Sequence, residues 1–454
     1  MPITPPNIRD ARRENDLPSP NRALENMRKK ILMIFTLVPF PLRAHGLSVR
    51  YLPIIQYLSR FHDIDLIVIN GNAAELSHVE GLREYCRKIS VLPDPRCNHH
   101  DVLSKGRTYA NFLLPWTPPL SMVAHRGSMV TRGIVEATKG EHYDAVVWAG
   151  AELLPNMMDA LPSISAGKVI VDFIDSPSLW GTRREDPTFR IGPLARYERW
   201  KMRQWERKVV MKVEATIYIS RVDAQTVPPD LAPLAKRHVI PNGINIPSFS
   251  SAENIALPTP NIGFLGNMLY PPNVEAVEWL YQEVFVPLRK DHPDLTLVVV
   301  GRDPSPSIRS LGNQPGVIVT GTVDDIWPYI HSIDVFLFPL HRGAGVKNKI
   351  LEAMFAGRPV VTTEIGNEGI DAEDGQDLVL CSTPDEFRKE ALRLLRAPEE
   401  RARMGASAHT FVKENFSWDR ILCAYENLVL GRLPEGGQEH LIVGDPLRGA
   451  GGRH

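Results

Sequence analysis

The residues best suited to chemistry lie between Pro339 and Thr363, in PLHRGAGVKNKILEAMFAGRPVVTT. The apolar run DVFLFPL that leads into it reads as a strand. Gly343 and Gly345 mark a loop, and the stretch from about Lys347 to Ala356 reads as a helix. Gly357 suits the left-handed residue that closes such a helix, and Pro359 opens the next strand. The loop amides and the first helical turn carry N–H groups without helical partners, a ready site for an anion such as a diphosphate. Lys349 and Glu352 are three residues apart and share a helix face. As a bare surface pair they are worth only a few tenths of a kcal/mol. Behind a strand and a glycine loop, however, a cation for phosphate beside a carboxylate for sugar hydroxyls answers the needs of a nucleotide-sugar donor.

The elements that must hold these residues are legible as short aliphatic runs alternating with helical patterns. KILMIFTLV, IDLIVIN, DAVVWAG, KVIVDFID and ATIYIS are apolar on both faces, as parallel strands covered by helices require. After the proline-marked stretch Pro241–Pro260 the pattern restarts with NIGFLGN, LTLVVVG, GVIVTG, DVFLFPL and RPVVTT. The expected fold class is α/β, with two doubly wound Rossmann-like domains facing across a cleft that receives the carboxyl ends of both strand sets. The expected boundaries are a disordered tail over 1–27, a first domain over 28–245, a linker over 246–260, a second domain over 261–415, a terminal helix over 416–430 and a second disordered tail over 431–454. In the second domain, Val274, Val277, Leu280, Val284 and Leu288 form one face of a helix from Asn273 to Lys290, with Asn273 as its N-cap. In the first, Leu47, Tyr51, Ile54, Ile55 and Leu58 share a face, but Pro53 predicts a kink or a late start.

Composition narrows the setting. With 43% hydrophobic and 23% charged residues over 454 positions, disorder along the whole length is excluded. A net charge near −1 removes global attraction to nucleic acid. Cys86, Cys97, Cys381 and Cys423 lack paired spacing, so neither a disulfide framework nor a zinc module is indicated. No run reaches the roughly 18–20 apolar residues of a membrane span, and the expected location is the cytoplasm, with room for peripheral attachment to the inner face of a membrane.

Segment 339–363 resembles the donor-binding motif of family 4 glycosyltransferases, the glycosyl transferases group 1 domain. The resemblance continues through VIPNGIN (239–245), NIGFLGNMLYPPN (261–273), VTGTVDDIWPYIHSIDVFLFP (319–339), EIGNEGI (364–370) and FSWDRILCAYENLVL (416–430). It is weaker in the first half, through PFPLRAHG (39–46) and VDFIDSPSLW (171–180), a pattern similar to exopolysaccharide-linked members. The resemblance implies the GT-B fold, with an acceptor-side first domain, a nucleotide-sugar donor domain and a last helix that crosses back. It also implies metal-independent and usually retaining sugar transfer, with no cofactor beyond the nucleotide-diphosphate sugar itself.

Glu352 matches the second glutamate of the family's E-x7-E motif, which binds the nucleotide ribose. The first glutamate falls on Ala344, so the backbone at Gly343 and Gly345 is the expected substitute, with Lys349 and Arg342 on the diphosphate. The resemblance also places Gly266 and Asn267 near the phosphates, Val323 near the base, and Gly46 on the first-domain loop that approaches the donor, with His45 facing the acceptor. Asp172 and Asp175, at a strand end, are the carboxylates expected to orient an acceptor hydroxyl. In retaining members the leaving phosphate takes the acceptor's proton, so no separate protein base is assigned.

Two metal-like signals are set aside. Asp63-Ile64-Asp65 sits at the amino end of its strand, the wrong end for ligands in an open α/β sheet. Cys97-Asn98-His99-His100-Asp101 has no partner pair at zinc spacing. Residues 105–135 and 193–213 combine bases with aromatic and apolar residues. They suit either packed helices with solvated charged faces or a surface for a lipid-linked acceptor at an anionic membrane. Two other readings keep the fold: a catalytically silent nucleotide-sugar binder, and a sugar epimerase. The epimerase lacks identifiable acids and bases.

Overall fold

The computed structural model describes residues 28–42, 46–70, 77–94, 112–123, 127–179, 192–226, 233–244, 255–342 and 345–432. His45, Gly343, Ala344, the 97–101 cluster, the first tail and residues 433–454 of the second lie outside the described residues.

The first lobe is built on β1 (Lys30–Phe35), β2 (Asp63–Ile69), β3 (Lys88–Leu92), β5 (Ala145–Ala149), β7 (Val169–Ile174), β8 (Ala215–Tyr218) and β9 (Arg237–Val239). They form one parallel sheet in the order β3-β2-β1-β5-β7-β8-β9, while β4 (His142–Tyr143) and β6 (Ser165–Ala166) pair separately. The two-faced apolar runs explain this burial. Along β1, Ile31, Met33 and Phe35 enter the core on one side of the sheet, and Leu32 and Ile34 enter the core on the other.

The second lobe repeats the plan with β10 (Asn261–Leu265), β11 (Thr296–Val300), β12 (Val317–Val319), β13 (Val335–Phe338), β14 (Val360–Thr362) and β15 (Val379–Leu380). Their order is β12-β11-β10-β13-β14-β15, again parallel throughout. In each sheet the chain works outward in one direction and then in the other. The order therefore reverses between β1 and β5, and between β10 and β13. Those two switch points open crevices at the carboxyl ends of the strands, where ligands bind in open α/β sheets.

Two helices differ from expectation. The first-lobe helix begins at Gly46 and continues to Leu58 with Pro53 inside it. An interior proline costs about 3 kcal/mol, but Tyr51, Leu52, Ile54, Ile55 and Leu58 are all buried around it. At about 1.5–3 kcal/mol per buried side chain, packing outweighs that cost. The 273–290 helix is in fact helix Pro271–Trp279, a wider π-type turn Leu280–Phe285 and helix Val286–Asp291. Tyr270 stands at the N-cap position, because Pro271 and Pro272 take the first turn and push Asn273 inside it.

Two crossings join the lobes side by side. Ile244, at the end of the first lobe, bridges Ser417, at the start of the last helix Trp418–Leu430. That helix returns to the first lobe, where Ile421, Tyr425, Leu428 and Val429 join the core beside helix Gly46–Leu58. Among the described residues no helix is long and apolar enough to cross a membrane.

Candidate active site

The second-lobe site is assembled at the β10/β13 switch point. Gly266 and Asn267 follow β10, and the loop carrying Arg342 and Gly345 follows β13 and leads into helix Asn348–Phe355. Asn273 ties the two together. Its side-chain amide donates to the Asn267 carbonyl at 2.8 Å, and its amide oxygen accepts from the Lys349 ammonium. A side chain at Gly266 would press on that amide, since a Cβ there would lie 2.8 Å from Asn273 Nδ2. Lys349 also sits over the Phe264 ring, 5.2 Å from its centre. Burial, with the charge of Lys347 adding to it, pushes the Lys349 ammonium down to about 7, against the opposing pull of Glu352. Lys347 is itself buried and donates to the Gly345 carbonyl, bracing a residue whose φ of +70° favours glycine.

Arg342, expected on the diphosphate, is half-buried on this loop. It forms a two-pronged ion pair with Glu275 on helix Pro271–Trp279, so a phosphate must compete with that carboxylate. Glu352 is half-buried one turn along from Lys349, and Val323 is half-buried against the second-lobe core.

Across the cleft, Gly345 meets the first lobe. A Cβ built on it would lie 3.5 Å from Asp175 Oδ1 and 3.6 Å from Ile219 Cδ1. Arg221 and Asp371 approach to 3.7 Å between the lobes nearby. The structure thus brings Asp175 and the Gly345 loop together.

A cavity of about 240 Å³ opens on the first-lobe side of this meeting point, at the ends of β1, β5 and β7. Thr36, Leu37, Leu47, Gly150, Glu152 and Asp175 contribute to its wall. Gly46 begins the helix whose next residue, Leu47, lines this space.

Asp172 requires a correction. Its carboxylate does not face the cleft: it is fully buried and paired with Arg50, with Oδ2 2.9 Å from Nε and from Nη2. Arg50 in turn donates to the Ile240 carbonyl at 3.0 Å and to Asn242 Oδ1 at 2.9 Å. Burial opposes charge on Arg50, but Asp172 outweighs it and holds the guanidinium protonated. Alternation explains the split between the two acids. Asp172 lies within β7 and points into a core, whereas Asp175 lies just beyond the strand end.

Sequence reading missed the scaffold behind Asp175. Glu206 is buried and accepts from Ser178 N at 3.2 Å, from Tyr218 Oη at 3.0 Å and from the hydroxyls of Ser176 and Ser178. Asp223 accepts from Ser176 N at 2.8 Å. Burial pushes the Glu206 carboxyl up. The available signal was an acid on an apolar helix face, since Met202, Val209 and Val210 stand three or four residues from Glu206. Asp63 and Asp65 are engaged structurally. Asp63 pairs with Arg28 at 2.8 Å, and Asp65 accepts from Arg87 and, at 3.0 Å, from Tyr143.

Two parallel, doubly wound sheets facing each other, one in each lobe, define the GT-B architecture. Residues 259–397, within the second lobe, match the family model described as Glycosyl transferases group 1. An uncharacterized 44.6 kDa protein of the cps region of Klebsiella pneumoniae is 26% identical over 169 residues, 36% of this chain and 44% of that one. A phosphatidyl-myo-inositol mannosyltransferase of Mycobacterium leprae is 28% identical over 175 residues, 36% of this chain and 43% of that one. The chain thus spans less than half the length of these curated relatives. The Anabaena protein HepE, solved with UDP and glucose, superposes with a TM-score of 0.55 at 14% identity, over 89% of this chain and all of that one.

Proposed function

We propose that the protein is a glycosyltransferase. It moves a sugar from a nucleotide-diphosphate donor, held by the second lobe, to a glycan or lipid-linked acceptor seated in the first-lobe cavity. The observation that carries this reading is the approach of Gly345, on the loop leading to Lys347 and Lys349, to Asp175 at the mouth of the cavity. It brings an anion site and a hydroxyl-orienting carboxylate to one point. The relative from a cps region supports a role in surface polysaccharide synthesis, and HepE's complex with UDP and glucose supports a nucleotide sugar as donor.

Breaking the sugar–diphosphate bond builds negative charge on the leaving oxygen and positive character at the anomeric carbon. Lys349, Lys347 and the amides of the loop and helix start stabilise the former without a metal. One well-placed donor is worth about 2.7–4 kcal/mol in such sites. Glu352 takes the ribose hydroxyls. The diphosphate departs from the face that the acceptor hydroxyl approaches and receives its proton, so configuration is retained. Asp175 orients that hydroxyl. The protein works at the cytoplasmic side of a membrane and needs no other cofactor.

Lys349→Ala and Glu352→Ala each lower transfer at least tenfold in a donor-to-acceptor assay, and unchanged turnover in both would overturn this site. Titration calorimetry with nucleotide sugars separates catalysis from silent binding, since a silent binder gives heat of binding and releases no nucleotide. A donor at 100 times its Kd stabilises the fold by about 2.7 kcal/mol, which a thermal-shift screen across nucleotide bases reads directly.

A further inference from the structure

Helix Pro193–Lys212 carries two acids and seven bases, and the structure sorts them. Glu198 and Glu206 are both buried: the first accepts from Leu120 N at 2.9 Å, the second holds the Ser176–Ser178 turn. What remains on the outer face is Arg196, Trp200, Arg203, Arg207 and Met211, spaced three or four apart and exposed, with no acid on that stripe. The chain as a whole is nearly neutral, whereas this stripe places three arginines, and no acid of its own helix, on one face.

Beside it lies a second apolar element. Lys201, buried under the segment Phe112–Thr117, donates to the carbonyls of Phe112 at 2.6 Å and Leu114 at 3.0 Å, and to Thr117 Oγ1 at 2.8 Å. Tyr197 donates to the Leu113 carbonyl at 2.9 Å, and Trp205 Nε1 to that of Thr117 at 3.1 Å. With carbonyls of Phe112, Leu113, Leu114 and Thr117 engaged by the helix, the segment buries Phe112 and turns Leu113 (63% exposed) and Trp116 (72%) to solvent. Trp200 stacks on Tyr197 at 5.6 Å and adds a second tryptophan to the same surface.

We propose that the outer face of helix Pro193–Lys212, with the Leu113–Trp116 segment clamped to it, docks the protein on an anionic lipid bilayer. Tryptophan and leucine enter the headgroup boundary, and the arginines meet the negative surface potential. Charge complementarity selects this occupant, because interleaved arginines disfavour a second copy of the same face. The same helix presents Met202 from its inner side to the acceptor cavity, and Met122, just beyond the clamped segment, lines it too. The cavity therefore lies directly behind the docked surface, where an acceptor's head can enter while its lipid tail stays in the membrane. This deepens the lipid-linked form of the function proposed above and rests on it, but the test needs neither donor nor turnover.

The full chain is sedimented with vesicles of phosphatidylcholine alone and with added phosphatidylglycerol, while tryptophan emission is followed. The expected result is binding to the anionic vesicles, weakened by salt, with a blue shift in emission. Arg196→Gln and Arg203→Gln each weaken it about fivefold. Trp116→Ser and Trp200→Ser together abolish the blue shift, with unchanged circular dichroism and melting temperature. Wild-type protein left in the supernatant at low salt overturns the proposal, as does equal binding by all variants. Sedimentation velocity without vesicles provides a further check: self-association lost in the tryptophan variants assigns the face to a second copy and overturns it as well. Loss of vesicle binding with transfer to a soluble acceptor intact leaves the enzyme reading standing. Loss of transfer in Lys349→Ala with vesicle binding intact separates the two in the other direction.

Discussion

Lys349, proposed above as a phosphate ligand, is tuned by its surroundings. Burial and Lys347 bring it to about 7, whereas an unfolded chain holds such an amine near 10.4. Since the unfolded state binds more protons between those values, this group makes the unliganded protein gain stability as pH rises from about 7 to 10. The diphosphate of a nucleotide sugar is fully ionised there and restores the ammonium. Donor binding at pH 8 therefore takes up close to one proton, measurable by calorimetry in buffers of different ionisation enthalpy. Affinity falls as pH rises above about 7, and the dependence disappears in Lys349→Gln. Equal heats in all buffers would remove Lys349 from the phosphate site. The two acids near β7 divide as sharply. Asp172→Asn breaks a buried ion pair and costs about 3–5 kcal/mol of stability in urea unfolding. Asp175→Asn leaves stability nearly unchanged but lowers kcat about 100-fold through lost positioning, with donor affinity retained.

Elements explain which of these roles sequence could reveal. The strands were legible because burial on both faces demands unbroken aliphatic runs, and the helix end was legible because Gly357 has φ +68°. That Lys349 and Glu352 share a helix was legible for the same local reason: strand, loop and helix follow one another between Val335 and Phe355. The partners were not. Arg50 reaches Asp172 over 122 positions, and Asn273 reaches Lys349 over 76. No local pattern encodes such meetings; only the sheet order creates them. The Ser176–Ser178 turn is a test at this scale. Glu206→Ala leaves its hydroxyl partners buried without an acceptor, at about 1–3 kcal/mol each. It also loosens the base of Asp175, so kcat falls more than donor affinity does, while a Glu206→Gln variant recovers part of both.

For the molecule as a whole, the two crossings at Ile244 and Ser417 fix how the lobes meet. The Trp418 ring packs directly over Gly243, and Arg50 holds the Ile240–Asn242 approach to the same place. Gly243→Ala forces the indole aside. With saturating donor, small-angle scattering is expected to show a larger radius of gyration than wild type, and turnover falls although both cores stay intact. A second change, Trp418→Ala, restores the room and part of the activity. An unchanged radius in Gly243→Ala would mean that this contact does not govern closure. The return of the last helix also dictates an order of events at the ribosome. When residue 244 has been made, the flank of the first sheet that Tyr425 and Ile421 will cover is still bare, and the Arg50–Asp172 pair lacks its roof. The whole second lobe must be synthesised before that roof arrives, so the lobe translated first is the one completed last.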